Sequence, residues 1–236
     1  MIRRRVSFCL WILTVTALFL SVGLRPASAQ DSLRHSGGHD EGDHYEHSFN
    51  NPERFADDWN DPARDDWQKP GVVIEAMGLT EGMTVADLGT GTGYFVPHLS
   101  RAVGKDGRVR AVDIEPAMLR YVEKTAEKRA LANVDTVLAK PRNTRLGRSS
   151  VDRILTVNTW HHIPNRETYA EHLAGRLTEG GSVWVIDFHK NAPMGPPKRH
   201  RMEPQAVARE LEAGGLDAEI LDLGLSHQYV VVGRLQ

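Results

Sequence analysis

An acidic residue followed by three closely spaced glycines forms the first candidate binding site in the chain. Asp87 precedes Gly89, Gly91 and Gly93, and Tyr94 follows directly. Glycine has no Cβ atom, so the backbone can turn sharply here and approach a ligand closely. Residues 94–101 have the spacing of a helix. The backbone N–H groups at the start of that helix would point back toward the loop, which favours an anionic or polar ligand.

The spacing of these glycines differs from the G-x-G-x-x-G fingerprint of dinucleotide-binding proteins. Counting from Gly89, the third glycine of that fingerprint would fall at position 94, which is Tyr94. The pattern therefore disfavours a nicotinamide enzyme. A tight turn in some other α/β domain is the alternative for the glycines taken alone.

A second acid, Asp113, lies at the predicted end of the next strand, roughly twenty residues after the glycines. One carboxylate in that position can accept hydrogen bonds from both hydroxyl groups of a ribose. Glu115 is the competing acid, but it lies beyond the predicted end of the strand. Pro116 suits the first turn of a helix, which makes a longer strand unfavourable.

Together, the patterns D-L-G-x-G-x-G and V-D-x-x-P-x-M-L resemble motifs of the class I S-adenosylmethionine (SAM)-dependent methyltransferases. The resemblance covers roughly residues 70–236 and implies SAM as the cofactor, with the glycine loop around its methionine part. The residues that it assigns to cofactor binding are Asp87, Gly89, Gly91, Gly93, Tyr94, Asp113 and Asn158. Members of the family often have an acid after the third strand that contacts adenine, but this chain has Lys140-Pro141-Arg142-Asn143 there.

Two adjacent histidines follow the fourth predicted strand, residues 151–157. The stretch from Asn158 to Ile163 resembles the family's loop that closes one wall of the substrate pocket. His161 or His162 is a candidate general base, because the pKa of histidine is near neutral. The alternative is that one of them caps the next helix and the other is packed in the core.

The alternation of apolar strands and helices predicts an α/β fold that is doubly wound. We expect a seven-stranded, mostly parallel sheet with helices on both faces and a C-terminal antiparallel hairpin. The predicted strands are residues 85–88, 109–114, 134–139, 151–157, 182–188, 218–223 and 228–235. The predicted helices are residues 70–77, 94–101, 116–128, 167–177 and 204–213, with a turn at 178–181.

The first fifty residues differ in composition from the rest of the chain. Residues 1–29 combine three early arginines, an uncharged apolar run and the small-residue pattern Ala27-Ser28-Ala29, which is typical of a signal peptide. The alternative is an uncleaved membrane anchor. The composition of residues 30–50 predicts a His-rich disordered linker. Loose binding of a divalent metal by its four histidines is the alternative, but no fixed ligand spacing is present and no metal site is predicted. The protein is therefore expected to be exported, to the periplasm or beyond, or anchored to the membrane.

Residues 51–69 contain aromatic residues among many acids and predict a helical lid over the SAM site. Trp59 and Trp67 would share a face of a single helix, whereas Pro62 favours the start of a second one. Simple packing of these aromatic residues on the edge of the sheet is the alternative to a lid.

Composition narrows the function further. The 236 residues carry a formal net charge of −2 and have no extended basic block, so no nucleic-acid partner is predicted. Cys9, the single cysteine, lies within the predicted signal peptide, which excludes methyltransferases that need a cysteine. The prediction is a SAM-dependent methyltransferase acting on an unidentified small-molecule acceptor. The alternative is an exported, non-catalytic binding protein that kept the fold.

Overall fold

The computed structural model describes residues 49–236. The signal peptide predicted at 1–29, and all but the last two residues of the linker predicted at 30–50, lie outside the described residues. Two short helices come first, α1 (Glu53–Trp59) and α2 (Arg64–Gln68), followed by α3 (Pro70–Ala76). Trp59 and Trp67 therefore lie on separate helices. The second helix begins two residues after Pro62, because the Asp61 side chain accepts the Ala63 N–H at 2.9 Å and holds that segment in a turn.

Seven strands form one sheet in the order β3-β2-β1-β4-β5-β7-β6. Their bounds are β1 (Thr84–Leu88), β2 (Arg108–Asp113), β3 (Val134–Leu138), β4 (Val151–Val157), β5 (Leu177–Phe188), β6 (Asp217–Leu221) and β7 (Gln228–Arg234). The first five strands pair in parallel, and β7 is antiparallel to both β5 and β6. The predicted α/β fold with a closing antiparallel hairpin is confirmed.

Four longer helices cover the two faces of the sheet: α4 (Val96–Val103), α5 (Pro116–Lys128), α6 (Arg166–Ala174) and α7 (Pro204–Ala213). The side chains of β5 show how both faces are buried. Trp184 and Ile186 belong to one hydrophobic cluster, with Leu99 of α4. Val183 and Val185 belong to the other, where helices α6 and α7 pack. Successive residues of a strand point to opposite faces, so a run of apolar residues fills both layers.

The structure corrects two predicted boundaries, the start of α4 and the start of β5. The helix expected from residue 94 begins at Val96, with Pro97 in its first turn. The turn expected at residues 178–181 is an irregular part of β5, since Leu177 pairs with Val151 and Ser182 already pairs with Arg153. Four residues therefore bulge from the strand before pairing resumes, and the positive φ of Gly180 accommodates the bulge.

Within residues 49–236, no helix is both long and apolar enough to cross a membrane. The same part of the chain contains no cluster of three or more histidine, cysteine or acidic side chains that is suited to hold a metal ion.

Candidate functional site

The glycine loop leaves the centre of the sheet at the end of β1. Gly89, Gly91 and Gly93 have φ values of 72°, 53° and 79°, a region that side chains with a Cβ atom rarely adopt. The N–H groups of Gly89 and Thr90 both donate to the carbonyl of Val112, the penultimate residue of β2. The glycine pattern therefore produces a loop folded tightly against the neighbouring strand.

Asp113 is the last residue of β2 and binds this loop directly. Its Oδ2 accepts the N–H of Gly91 at 2.9 Å, and its Oδ1 accepts the N–H of Glu115 at 2.9 Å. Burial raises the pKa of the Asp113 carboxyl, and these backbone hydrogen bonds oppose the rise. The two sequence patterns, far apart along the chain, thus meet in one site.

Asp87 provides a second acid beneath the loop. It is 4% exposed, and its Oδ2 accepts the hydroxyl of Thr90 at 2.8 Å. Burial raises the pKa of Asp87 to about 6, and the negative charge of Asp113 adds to the rise. A buried acid with a raised pKa beside a second acid favours a cationic ligand, because the ligand's charge would offset the repulsion.

The segment predicted as a lid contacts the glycine loop at three points. A Cβ atom on Gly91 would lie 3.1 Å from Cζ3 of Trp59, so the indole covers this glycine. The hydroxyl of Thr92 donates to Oδ1 of Asn60 at 2.9 Å. The hydroxyl of Tyr94, one of the predicted cofactor residues, donates to Asp65.

Arg64 of α2 is a site residue that the sequence did not identify. Its guanidinium lies 4.1 Å from the centre of the Tyr94 ring and donates to Gln68 and to the carbonyl of Trp59. Burial lowers the pKa of Arg64 to about 10, and the nearby Tyr94 and Asp87 oppose that shift. It therefore remains a cation at neutral pH, close to the buried acid Asp87.

A chain of amide side chains joins α2 to the carboxyl edge of the sheet. Gln68 donates to Gln228 at 2.6 Å, and Gln228 donates to Oδ1 of Asn158 at 2.6 Å. Gln68 and Gln228 are both buried. Asn158, a predicted cofactor residue, is thus held in place at a positive φ of 55°. The residues in this chain are up to 160 positions apart, so no local pattern identifies it.

The two candidate catalytic histidines have different environments. Nδ1 of His161 lies 2.7 Å from Oδ2 of Asp187, and the two side chains are 3% and 1% exposed. His162 is an exposed residue whose ring lies 4.1 Å from that of His161 and 6.0 Å from that of Phe49. Neither histidine caps α6, which begins at Arg166. The buried contact with Asp187 favours His161 over His162 as the candidate base.

The chain matches a known protein-family model over residues 85–181, and that model describes a methyltransferase domain. It is 29% identical over 111 residues to the protein-L-isoaspartate O-methyltransferase of Methanococcus maripaludis, covering 47% of this chain and 50% of that protein. It is 30% identical over 119 residues to the ubiquinone/menaquinone biosynthesis C-methyltransferase of Klebsiella pneumoniae, covering 50% and 47%. The chain thus spans about half the length of these curated relatives.

Solved structures match over a larger share of the chain. A SAM-dependent methyltransferase from Aquifex aeolicus superposes with a TM-score of 0.74 and 28% identity, covering 79% of this chain and 99% of that one. A geranyl diphosphate C-methyltransferase from Streptomyces coelicolor, solved with S-adenosyl-L-homocysteine, shares the fold at 15% identity. Its TM-score is 0.61, with 74% of this chain and 80% of that one covered.

Proposed function

We propose that this chain, which belongs to the class I SAM-dependent methyltransferases, transfers a methyl group from SAM to a small-molecule acceptor. The single observation that carries the proposal is the contact between Asp113 and the glycine loop. It joins an acid at the end of β2 to the turn after β1, at the carboxyl edge where open α/β sheets bind their ligands.

Asp113 is suited to bind the ribose of SAM. Each of its carboxylate oxygens accepts one backbone N–H and retains capacity for a second hydrogen bond. Two neighbouring ribose hydroxyls would use that capacity. Ile114, the next residue, is 54% exposed and offers an apolar surface for the adenine ring beside the ribose. Leu138, at the end of the adjacent β3, is 42% exposed and extends that surface.

The methionine end of SAM carries an ammonium and a carboxylate, and the site offers a group of opposite charge for each, one buried and one half-buried. Asp87 lies beneath the glycine loop and suits the ammonium, while Arg64 suits the carboxylate. The neutral amides of Gln68, Gln228 and Asn158 border this end of the site. These contacts fit a zwitterion better than they fit the pyrophosphate of a dinucleotide.

Bound SAM supplies a methyl group that its sulfonium makes reactive. The protein must therefore align a nucleophile with that group, and alignment alone can contribute ~7–11 kcal/mol. His161 is the better placed of the two candidate bases, because Asp187 fixes its ring. Thr159 packs against Gly89, which brings the loop bearing His161 close to the glycine loop.

Residues 51–69 act, in this proposal, as a lid that excludes water from the reaction. The contacts of Trp59 with Gly91 and of Asn60 with Thr92 support this role. Since the lid touches the loop that holds SAM, it must adjust when SAM enters and when the product leaves.

We also propose that the protein is exported, on the strength of the signal-peptide composition of residues 1–29. SAM is made in the cytoplasm, so an exported enzyme would lack an obvious supply of it. Export therefore favours one alternative, a non-catalytic protein that binds SAM or a related nucleoside. Nothing in the composition of the chain favours a nucleic-acid partner.

Calorimetric titration of the full chain with SAM, and separately with NAD, tests the cofactor. We expect saturable binding of SAM and none of NAD. The absence of any heat with SAM up to millimolar concentration would defeat the proposal. Methyl-labelled SAM incubated with a cell-envelope extract then separates enzyme from binding protein, because only an enzyme transfers the label.

A further inference from the structure

A buried polar cluster of His161, Asp187 and Tyr229 lies at the carboxyl end of β5. Tyr229 of β7 is paired directly with Asp187 of β5, and directly opposed residues of antiparallel strands project from the same face. Tyr229 is 3% exposed, and its hydroxyl has no hydrogen-bond partner within residues 49–236. A buried, unpaired hydroxyl is costly to folding, so its retention points to a partner beyond residues 49–236, and a bound ligand would supply one.

The hydrogen bonds of Asp187 determine what His161 can do. Its Oδ1 accepts the N–H of Phe188 at 2.8 Å, and its Oδ2 faces Nδ1 of His161 at 2.7 Å. An ionised carboxylate only accepts hydrogen bonds, so Nδ1 carries the proton and Nε2 is the basic nitrogen. Burial raises the pKa of the Tyr229 hydroxyl, and the charge of Asp187 adds to the rise. Tyr229 therefore stays protonated and is a hydrogen-bond donor.

We propose that the methyl acceptor is a neutral, weakly acidic hydroxyl compound, a phenol or an enol, and that it is methylated on oxygen. His161 is the general base, Tyr229 donates a hydrogen bond to the acceptor oxygen, and Asp187 is a positioning residue. This inference rests on the proposed methyltransferase function.

In the transfer step, the acceptor's hydroxyl proton moves to Nε2 of His161, and the oxygen forms a bond to the methyl carbon of SAM. The bond between that carbon and sulfur breaks, and its electron pair stays on sulfur, which becomes a neutral thioether. The imidazolium is stabilised by Asp187 and later releases its proton to water.

Other acceptor classes fit these groups less well. A neutral amine attacks through its own lone pair and needs no base before the transfer. A carboxylic acid is already ionised at neutral pH, and its charge would be repelled by the buried Asp187. A phenol or an enol enters without charge and must lose a proton, which is what a fixed histidine base and a hydrogen-bond donor provide.

Several charged groups surround this cluster, and each bears on its pH dependence. Asp187 faces His161 from β5, and His162 lies beside it in the same turn. The charges of Glu210 and Glu203 act on Tyr229, and that of Arg166 opposes them. The ring of His189 lies 5.7 Å from the ring of Tyr229. Glu210 is itself satisfied, because it accepts from Trp160 and from Arg166 at 2.8 Å each.

The chemical bond in the labelled product tests the acceptor class. The full chain is incubated with methyl-labelled SAM and a small-molecule extract of its source cells, and the product is characterised by mass spectrometry and alkaline treatment. A methyl ether, which withstands alkali, supports the inference. A methyl ester, an N-methyl group, an S-methyl group or a C-methyl group overturns it.

The same experiment separates the failure of this inference from that of the proposed function. If calorimetry shows no SAM binding, the proposed function fails first. If SAM binds but an N-methyl product forms, only the acceptor inference fails. If SAM binds and no label is transferred to any compound, the protein is not an enzyme, and the assignment of His161 as a base is wrong.

Variants test the roles of the three residues. His161→Gln and Asp187→Asn should each lower kcat at least 100-fold while the Kd for SAM changes less than about threefold. The wild-type fall in kcat/KM toward low pH should be absent from His161→Gln. Tyr229→Phe should lower kcat/KM about tenfold through loss of the hydrogen bond.

Tyr169→Phe is the matched control, since Tyr169 is a buried tyrosine in the same hydrophobic cluster. It should keep wild-type kcat/KM. A folded His161→Gln enzyme with the wild-type rate and pH profile would refute the base assignment. Circular dichroism and SAM binding establish that each variant is folded.

Discussion

Trp59 covers Gly91: a Cβ atom at position 91 would lie 3.1 Å from the Cζ3 atom of the indole. The same indole stacks on Phe55, with ring centres 4.7 Å apart, and contacts Phe49 at 5.7 Å. An aromatic cluster at the start of the described chain is therefore packed directly on the loop proposed to hold SAM. Any ligand that enters this loop must change the surroundings of Trp59.

We therefore expect SAM to change the tryptophan fluorescence of the protein, with most of the change arising from Trp59. Trp59→Phe keeps an aromatic ring and should remove most of this signal. Trp184→Phe is the control, because Trp184 is buried in a hydrophobic cluster of the core and its replacement should leave the signal intact. A full signal in Trp59→Phe would mean that the lid segment does not respond to the cofactor.

Gly89 is the glycine of the loop that tolerates a side chain least. A Cβ atom there would overlap Oγ1 and Cγ2 of Thr159 and lie 2.8 Å from its Cβ, in addition to the strain of a φ of 72°. We expect Gly89→Ala to lower the free energy of unfolding by about 2–5 kcal/mol, measured by urea denaturation.

Gly78→Ala is the matched control for that substitution. Gly78 has a φ of 59°, and a Cβ atom added there would meet no atom within 4 Å, so only backbone strain is added. Gly78→Ala is expected to lower the free energy of unfolding by about 1–2 kcal/mol. The double variant Gly89→Ala/Thr159→Ala should recover part of the free energy of unfolding that Gly89→Ala loses. Equal losses in Gly78→Ala and Gly89→Ala would argue against the steric contact with Thr159.

The sheet was predictable from the sequence because its signals are local, and the candidate site was located from local signals as well. Apolar runs bounded by glycine and proline gave the seven strands, and Pro116 gave the start of α5 at its observed residue. The bulge at residues 178–181 was not predictable, because Gly180-Gly181 resembles a turn until the pairing with β4 is known. Strand register is a property of two segments, and no single segment contains it.

The residues that the sequence missed act through contacts between distant parts of the chain. Arg64 has no motif around it, and its role depends on the packing of α2 beside Asp87. Asp187 lies at the end of β5, and its contact with His161 depends on how the loop after β4 folds back. Local patterns predicted the glycine loop and Asp113 as site residues, whereas the preference for His161 over His162 depends on tertiary packing.

The raised pKa of Asp87 makes stability depend on pH. Because its folded-state pKa of about 6 exceeds the ordinary value of 3.8, the folded protein holds this proton more tightly than the unfolded chain. The protonated form therefore favours folding, and that contribution is lost as the pH rises from about 4 to about 6. Asp87→Asn avoids this loss and should increase the free energy of unfolding by roughly 1–3 kcal/mol at pH 7.5.

The difference in the free energy of unfolding between Asp87→Asn and the wild type should shrink toward zero near pH 4, where position 87 is uncharged in both folded proteins. Denaturation at several pH values measures this difference, with Asp66→Asn at an exposed position as the control for the amide substitution itself. A destabilised Asp87→Asn protein at pH 7.5 would contradict the burial argument.

Arg64 provides a test of how the methionine end of SAM is held. If its guanidinium binds the SAM carboxylate, Arg64→Gln should weaken SAM binding about 10- to 100-fold. The same variant should bind decarboxylated SAM nearly as well as the wild type does, since that ligand lacks the partner group. Titration calorimetry measures both affinities.

Arg54→Gln is the matched control, because Arg54 lies in the same N-terminal segment and is exposed. It should leave the affinity for both ligands unchanged. An equal loss of affinity for SAM and for decarboxylated SAM in Arg64→Gln would place Arg64 away from the carboxylate.

Asp113 and Glu115 are two residues apart, and only Asp113 should matter for SAM. Asp113→Ala is expected to weaken SAM binding by ~1.5–3 kcal/mol, the range for hydrogen bonds to a charged group. That corresponds to roughly ten- to two-hundred-fold in Kd. Glu115→Ala should change the Kd far less, because Glu115 follows the end of β2 and precedes α5.

The Asp113 experiment needs a control for loop damage, because the same carboxylate accepts the N–H groups of Gly91 and Glu115. Asp113→Asn keeps one side-chain oxygen as an acceptor and should destabilise the fold less than Asp113→Ala does. If Asp113→Asn remains folded yet loses affinity for SAM, the loss reflects the ribose contact. A folded Asp113→Ala protein that binds SAM with wild-type affinity would show that Asp113 does not bind the ribose. A larger loss of affinity in Glu115→Ala than in Asp113→Ala would indicate that Glu115 binds the ribose instead.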